Sequence, residues 1–142
     1  MKHDLTLTIP SLLSIVFFTL HLTGDIVRGI EPGTLSNLIG GVLIAVVWLY
    51  ATLELPGRRW AHVVVLLASI LGAGIPVVHF DGAGVGRIAK SSGGFLFVWT
   101  LLALGVTALF SLILSVRGLW SLRRVTPDAD RVPERPRGTR QG

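Results

Sequence analysis

The sequence predicts an all-α integral membrane protein: four transmembrane helices in an up-down-up-down antiparallel bundle, with a disordered C-terminal tail. Two observations predict it. The chain of 142 residues is 51% hydrophobic and only 15% charged, where an average soluble domain is about 25% charged. Four apolar runs of roughly 20 residues follow one another, each the length a helix needs to cross the hydrocarbon core. None alternates regularly with a polar face, as a soluble core helix would. The length allows one domain. It divides into a transmembrane domain over 1–120 and a proline-rich basic tail over 121–142.

The first span covers about residues 5–27. Its leader, "MKHD", sets Lys2 against Asp4, and no small-residue cleavage site follows. It therefore reads as a retained span and not a cleaved signal. "RGIEPGT" (28–34) links it to the second span, 35–53. "ELPGRR" (54–59) then turns at Pro56-Gly57 into the third span, 60–80. "DGAGVGRIAKSSG" (81–93) leads to the fourth, 94–116. Links this short force neighbouring helices antiparallel. The tail carries three prolines and seven charges between Thr126 and the end, with no apolar run.

With four spans, both termini share one side. On that side lie ten of the thirteen basic residues, among them Lys2, Arg58, Arg59, Arg117, Arg123 and Arg124; Arg28, Arg87 and Lys90 lie on the other. The positive-inside rule then places both termini in the cytoplasm and the chain in the cytoplasmic membrane. Trp48, Tyr50, Trp60 and Trp120 read as an inner aromatic belt, and Trp99 as part of the outer one.

Small residues recur at packing intervals, Gly41 with Ala45 and Ala68 with Gly72. They suit close helix approach, within the bundle or between copies. Gly72, Gly74 and Pro76 precede His79 and predict a bend in the third helix that turns His79 towards the first.

The chemically informative stretch is "HLTGDIVRG" (21–29). His21 and Asp25 share a helix face at i, i+4. Steps of three and four residues extend that face through Ser11, Ser14, Phe18 and Arg28. A polar stripe on a membrane helix should turn from lipid. The third span delivers His79, with Asp81 just beyond it, and the second begins near Asn37. At 1.5 Å per residue, Asp25 and His79 each lie roughly 13 Å from their helix centres. His21, Asp25, His79 and Asp81 thus form a candidate ligand or proton site near the outer face. The fourth span adds Thr100, Thr107 and Ser111 on a common face.

Three readings of this cluster remain open. Its members could be ordinary interfacial residues, with Asp25 paired to Arg28. They could form a polar network that fixes helix packing. They could bind a ligand, a proton or a metal. Imidazole and carboxylate suit zinc, copper or iron, and His21, Asp25 and His79 are weak metal candidates in the absence of HxxxH or HExxH spacing. The chain has no cysteine, which excludes disulfides and thiolate chemistry. "GVGRIAKS" (84–91) lacks the second glycine of a phosphate loop and follows no strand, so no nucleotide site is assigned. No serine elbow accompanies Ser91 and Ser92, and no residue is assigned a catalytic role.

The leading functional expectation is a non-enzymatic accessory or interaction subunit. Its partners are the lipid bilayer and a second copy or a larger membrane protein, with no nucleic acid. The alternative is a small membrane enzyme or redox subunit that binds a quinone, metal or lipid at the His/Asp cluster. A third is one half of a dimeric transporter. No specific cofactor follows from the sequence.

Overall fold

A computed structural model describes residues 5–54, 58–81, 88, 90 and 92–124, with residue 81 described by its backbone alone. Among the described residues the secondary structure is helical, with four long helices: α1 (Leu5–Val27), α2 (Leu35–Leu53), α3 (Arg59–Asp81) and α4 (Gly94–Arg124). Each helix is long and apolar enough to cross a membrane. The expected turn at Pro56-Gly57, most of the 84–91 stretch and the tail from residue 125 lie outside the described residues.

Side-chain contacts fix the helix directions. Ser11, early in α1, bonds Thr52, late in α2. Arg59, at the start of α3, reaches the Leu122 carbonyl near the end of α4, 3.3 Å away. His21 and His79, late in α1 and α3, meet ring to ring. Consecutive helices are therefore antiparallel. The end carrying Leu5 and Arg124 is called proximal below, and the end carrying Val27 and Gly94 distal.

Local chemistry sets the helix ends. At the C-terminus of α1, Gly29 adopts φ +69°. Its N–H donates to the Ile26 carbonyl at 3.1 Å, and the Ile30 N–H donates to the Asp25 carbonyl at 2.9 Å. This is a Schellman closure, in which a left-handed residue lets the last carbonyls find donors. It keeps Asp25 within the final helical turn. Thr34 caps α2, accepting the Asn37 N–H at 3.4 Å, while the Asn37 amide donates to the Pro32 carbonyl at 2.9 Å. α4 runs past the apolar boundary expected at Val116, through Arg124. Its last turn carries Arg123 and Arg124, which complement the negative end of the helix dipole.

The distribution of polarity is inverted relative to a water-soluble bundle. Leu13, Val16, Leu20, Leu43, Val46, Leu67, Phe95 and Phe110 face outward. Buried inside are Ser11, Ser14, Thr52, His62, Ser69, Thr100, Ser111 and Ser115, beside Ile15, Phe18, Val65, Leu101 and Leu104. Small residues allow the close approach. A Cβ at Gly105 would lie 2.8 Å from the Pro76 ring, and one at Gly72 would lie 3.1 Å from Ala108. Gly41 faces Leu22 of α1. Gly41 and Gly72 thus serve packing within the chain.

One sequence expectation is corrected here. Trp48 is not a belt residue: it is fully buried. Its indole N–H donates to Ser11 Oγ at 2.9 Å. The Thr52 hydroxyl donates to the Trp48 carbonyl at 2.8 Å, so Ser11 must donate across the 2.7 Å gap to Thr52. Every hydroxyl and indole proton of this α1–α2 link has an acceptor, and that lets a tryptophan sit in the core. Tyr50, Trp60, Trp99 and Trp120 are exposed.

Candidate functional site

The site sits at the distal end, where α1 and α3 arrive side by side. The stripe on α1 is legible in three dimensions: Ser11, Ser14, Phe18, His21 and Asp25 are all buried, and Arg28 is half-buried. Asp25 is 4% exposed and His21 2%. Both side chains are thus shielded by the neighbouring helices.

Asp25 is held between two histidines. Its Oδ2 lies 3.4 Å from His21 Nε2, on its own helix. Its Oδ1 lies 3.4 Å from His79 Nε2, on α3. The imidazoles stand edge to face with centroids 5.0 Å apart. Contacting rings leave no room for a macrocycle between them, so a haem held by both histidines does not fit this arrangement. Arg28, the alternative partner for Asp25, lies instead over the Phe97 ring, 5.2 Å from its centroid.

The tautomer of His79 follows from its other nitrogen. Nδ1 lies 2.9 Å from the Ile75 carbonyl, one turn earlier. A carbonyl only accepts, so Nδ1 must carry a proton. In a neutral ring, Nε2 is then a bare lone pair, and it faces a carboxylate oxygen. Two acceptors at 3.4 Å need something positive between them, a proton or a cation. Among the described residues, no aligned hydrogen bond reaches His79 Nε2, Asp25 Oδ1 or either ring nitrogen of His21. A buried polar group without a partner is costly, so the arrangement is chemically incomplete.

α4 closes one side. Phe97 packs against both imidazoles, with its centroid 4.8 Å from that of His21 and 6.1 Å from that of His79. Gly24 makes room for it, since a Cβ there would lie 3.3 Å from the Phe97 ring. On the opposite side a cavity of about 350 Å3 opens between α1, α2 and α3. His21, Asp25 and His79 line it, with Glu31, Ser36 and Asn37 towards α2.

The structure thus brings together three of the four expected residues. The Asp81 side chain lies outside the described residues. Thr100, Thr107 and Ser111, which the sequence places on a common face of the fourth span, were not assigned to the site. Each bonds its own helix: Thr100 to the Phe97 carbonyl, Thr107 to Ala103 and Ser111 to Thr107. A hydroxyl one turn from a carbonyl has a local partner before it has a distant one. Phe97 and Glu31 were missed. An aromatic residue in an apolar run carries no distinguishing signal, and Glu31 stood in a link between spans.

Comparison with protein-family models, curated proteins and solved structures returns no match. The functional reading therefore rests on this geometry alone.

Proposed function

We propose that this chain is a four-span protein of the cytoplasmic membrane, with both termini cytoplasmic, that works as a non-enzymatic accessory subunit and binds a ligand at His21, Asp25 and His79. The exposed apolar surface supports insertion, because aliphatic and aromatic side chains cover all four helices. The basic asymmetry supports the orientation, and the distal cluster then faces the outer side. Its partners are the bilayer and a larger membrane protein or a second copy, with no role for nucleic acid.

A single observation carries the binding reading. Buried His21 and Asp25, whose two ring nitrogens and Oδ1 have no aligned hydrogen bond among the described residues, border a cavity instead of packed hydrocarbon. A network built only for packing would satisfy its own members, as Ser11, Trp48 and Thr52 do. Native mass spectrometry of the full chain released from membrane-derived nanodiscs tests this. The expected result is a bound small molecule or ion on the wild type that is lost from His21→Ala, with the helical content retained. A wild type without any adduct overturns the binding reading. Lowered thermal stability in His21→Ala, with no change in ligand occupancy, assigns the cluster to packing.

One observation favours the alternative of a membrane enzyme or redox subunit. A wholly apolar groove of about 420 Å3 runs between α2 and α3 and shares Ile44 and Leu71 with the polar cavity. An amphiphile such as a quinone or lipid would place its head by the histidines and its chain along Val47 and Leu67. Substrate turnover by the isolated chain would favour this reading over an accessory role.

A further inference from the structure

We infer that His21, Asp25 and His79 form a binding site for a divalent first-row transition-metal ion of the zinc class, which deepens the binding reading above and rests on it. The ligand set comes first. One carboxylate and two imidazoles each offer an atom to a common point, and no two of these atoms lie more than 4.8 Å apart. Imidazole selects zinc-class ions over calcium or magnesium, which take oxygen ligands.

The spacing agrees with the chemistry. A tetrahedral ion with bonds of about 2.0–2.1 Å holds its ligand atoms roughly 3.3–3.4 Å apart. Asp25 Oδ2 stands 3.4 Å from His21 Nε2 and Oδ1 stands 3.4 Å from His79 Nε2, so each imidazole nitrogen lies at this spacing from one carboxylate oxygen. The other ligand-atom separations, all within 4.8 Å, close by turning the His21 ring, which no hydrogen bond fixes among the described residues.

The surrounding groups fit as well. A metal-ligating histidine characteristically donates its second ring N–H to a carbonyl or carboxylate, which sets the tautomer and the ring direction. His79 does this with Ile75, leaving Nε2 as the lone pair that points at Asp25. A cation at the common point supplies the positive charge that two facing acceptors require. Phe97 shields one side of the cluster, and the cavity on the other gives access.

Three protein ligands leave the fourth tetrahedral position free. The cavity that the three ligands line lets water or an anion take it. Two neutral imidazoles and one carboxylate offset only one of the ion's two charges. Glu31, which lines the same cavity, supplies a second negative charge nearby.

The test uses the full chain without a polyhistidine tag, in detergent micelles and stripped with a chelator. Cobalt(II) is titrated in and then displaced by zinc(II). One equivalent should bind, with the visible absorption of a four-coordinate cobalt site. Asp25→Asn and His79→Ala should each weaken binding by more than about tenfold, the loss that even outer partners of metal ligands produce. His62→Ala, at the proximal end, should bind as the wild type does. If the site variants lose helical content, X-ray absorption of zinc-loaded wild type decides, with two imidazoles and one carboxylate expected in the shell. No uptake by the wild type, or undiminished uptake by both site variants, overturns the metal site. Wild type that takes up no metal yet carries an organic adduct in the native mass spectrum overturns this inference alone. Wild type with neither overturns the binding reading with it.

Discussion

Trp48 sits inside an apolar bundle because its one polar atom has a partner. Ser11→Ala would strand the indole N–H and remove the donor to Thr52. The loss of a buried partner costs roughly 1–3 kcal/mol, and Trp48→Phe, which removes the stranded group itself, should restore part of it. The double variant should therefore unfold closer to wild type than the sum of the single losses, read by denaturant unfolding in micelles. Additive losses would remove the bond from the account. Asp25 obeys the same rule with a different outcome. Its neighbours are two imidazoles, of which His79, when neutral, turns a bare Nε2 towards it, and not a closed chain of donors. That contrast distinguishes the two clusters, although Ser11 and Asp25 lie on the same face of α1.

At the scale of the helix, glycine marks where two segments meet or one stops. Gly29 has open space around it, so a Cβ there meets nothing. Its φ of +69° is the only constraint. Gly29→Ala should cost about 1 kcal/mol through backbone strain alone, and Gly29→Asn should cost less, since asparagine tolerates this region. Equal stability of the alanine variant and wild type would remove the Schellman closure from the account of α1. Gly105 fails for the opposite reason. Its backbone is ordinary, but its Cβ would enter the Pro76 ring, which cannot swing aside. Gly105→Ala must part α3 from α4, at roughly 1–3 kcal/mol. The same variant in a chain carrying Pro76→Ala should be better tolerated, which thermal unfolding would show.

For the whole molecule, the arrangement of four helices makes two demands. Orientation with both termini inside requires that a reporter fused after Arg58 give a cytoplasmic signal and one fused after Gly86 an external signal; the reverse pattern overturns it. Assembly of the site requires α1 and α3 to meet at their distal ends. In a His21→Cys/His79→Cys chain, a short thiol-reactive bridging reagent should join the two helices. Thiols placed instead at Leu20 and Val78, both outward-facing, should stay unjoined. Efficient joining of the outward pair would rotate the helices away from the arrangement described here.

The number of helices and most of their limits were decided by the sequence alone. Length and hydropathy are local properties, and the α1 and α2 limits coincide with the ends of their apolar runs. The buried face of α1 was legible for the same reason, since 3.6-residue periodicity lines up Ser11, Ser14, His21 and Asp25 without reference to any other helix. The extension of α4 to Arg124 was not legible in hydropathy, because helix continues where apolarity stops. The tertiary structure alone decided which face of each neighbour α1 would meet. It chose His79 over Arg28 for Asp25, placed Phe97 against the imidazoles and drew Trp48 inward to Ser11. It also left the hydroxyls of Thr100, Thr107 and Ser111 to their own helix. Helix rotation and approach depend on the fit of side chains far apart in the chain, such as Pro76 against Gly105, and no local pattern encodes that fit.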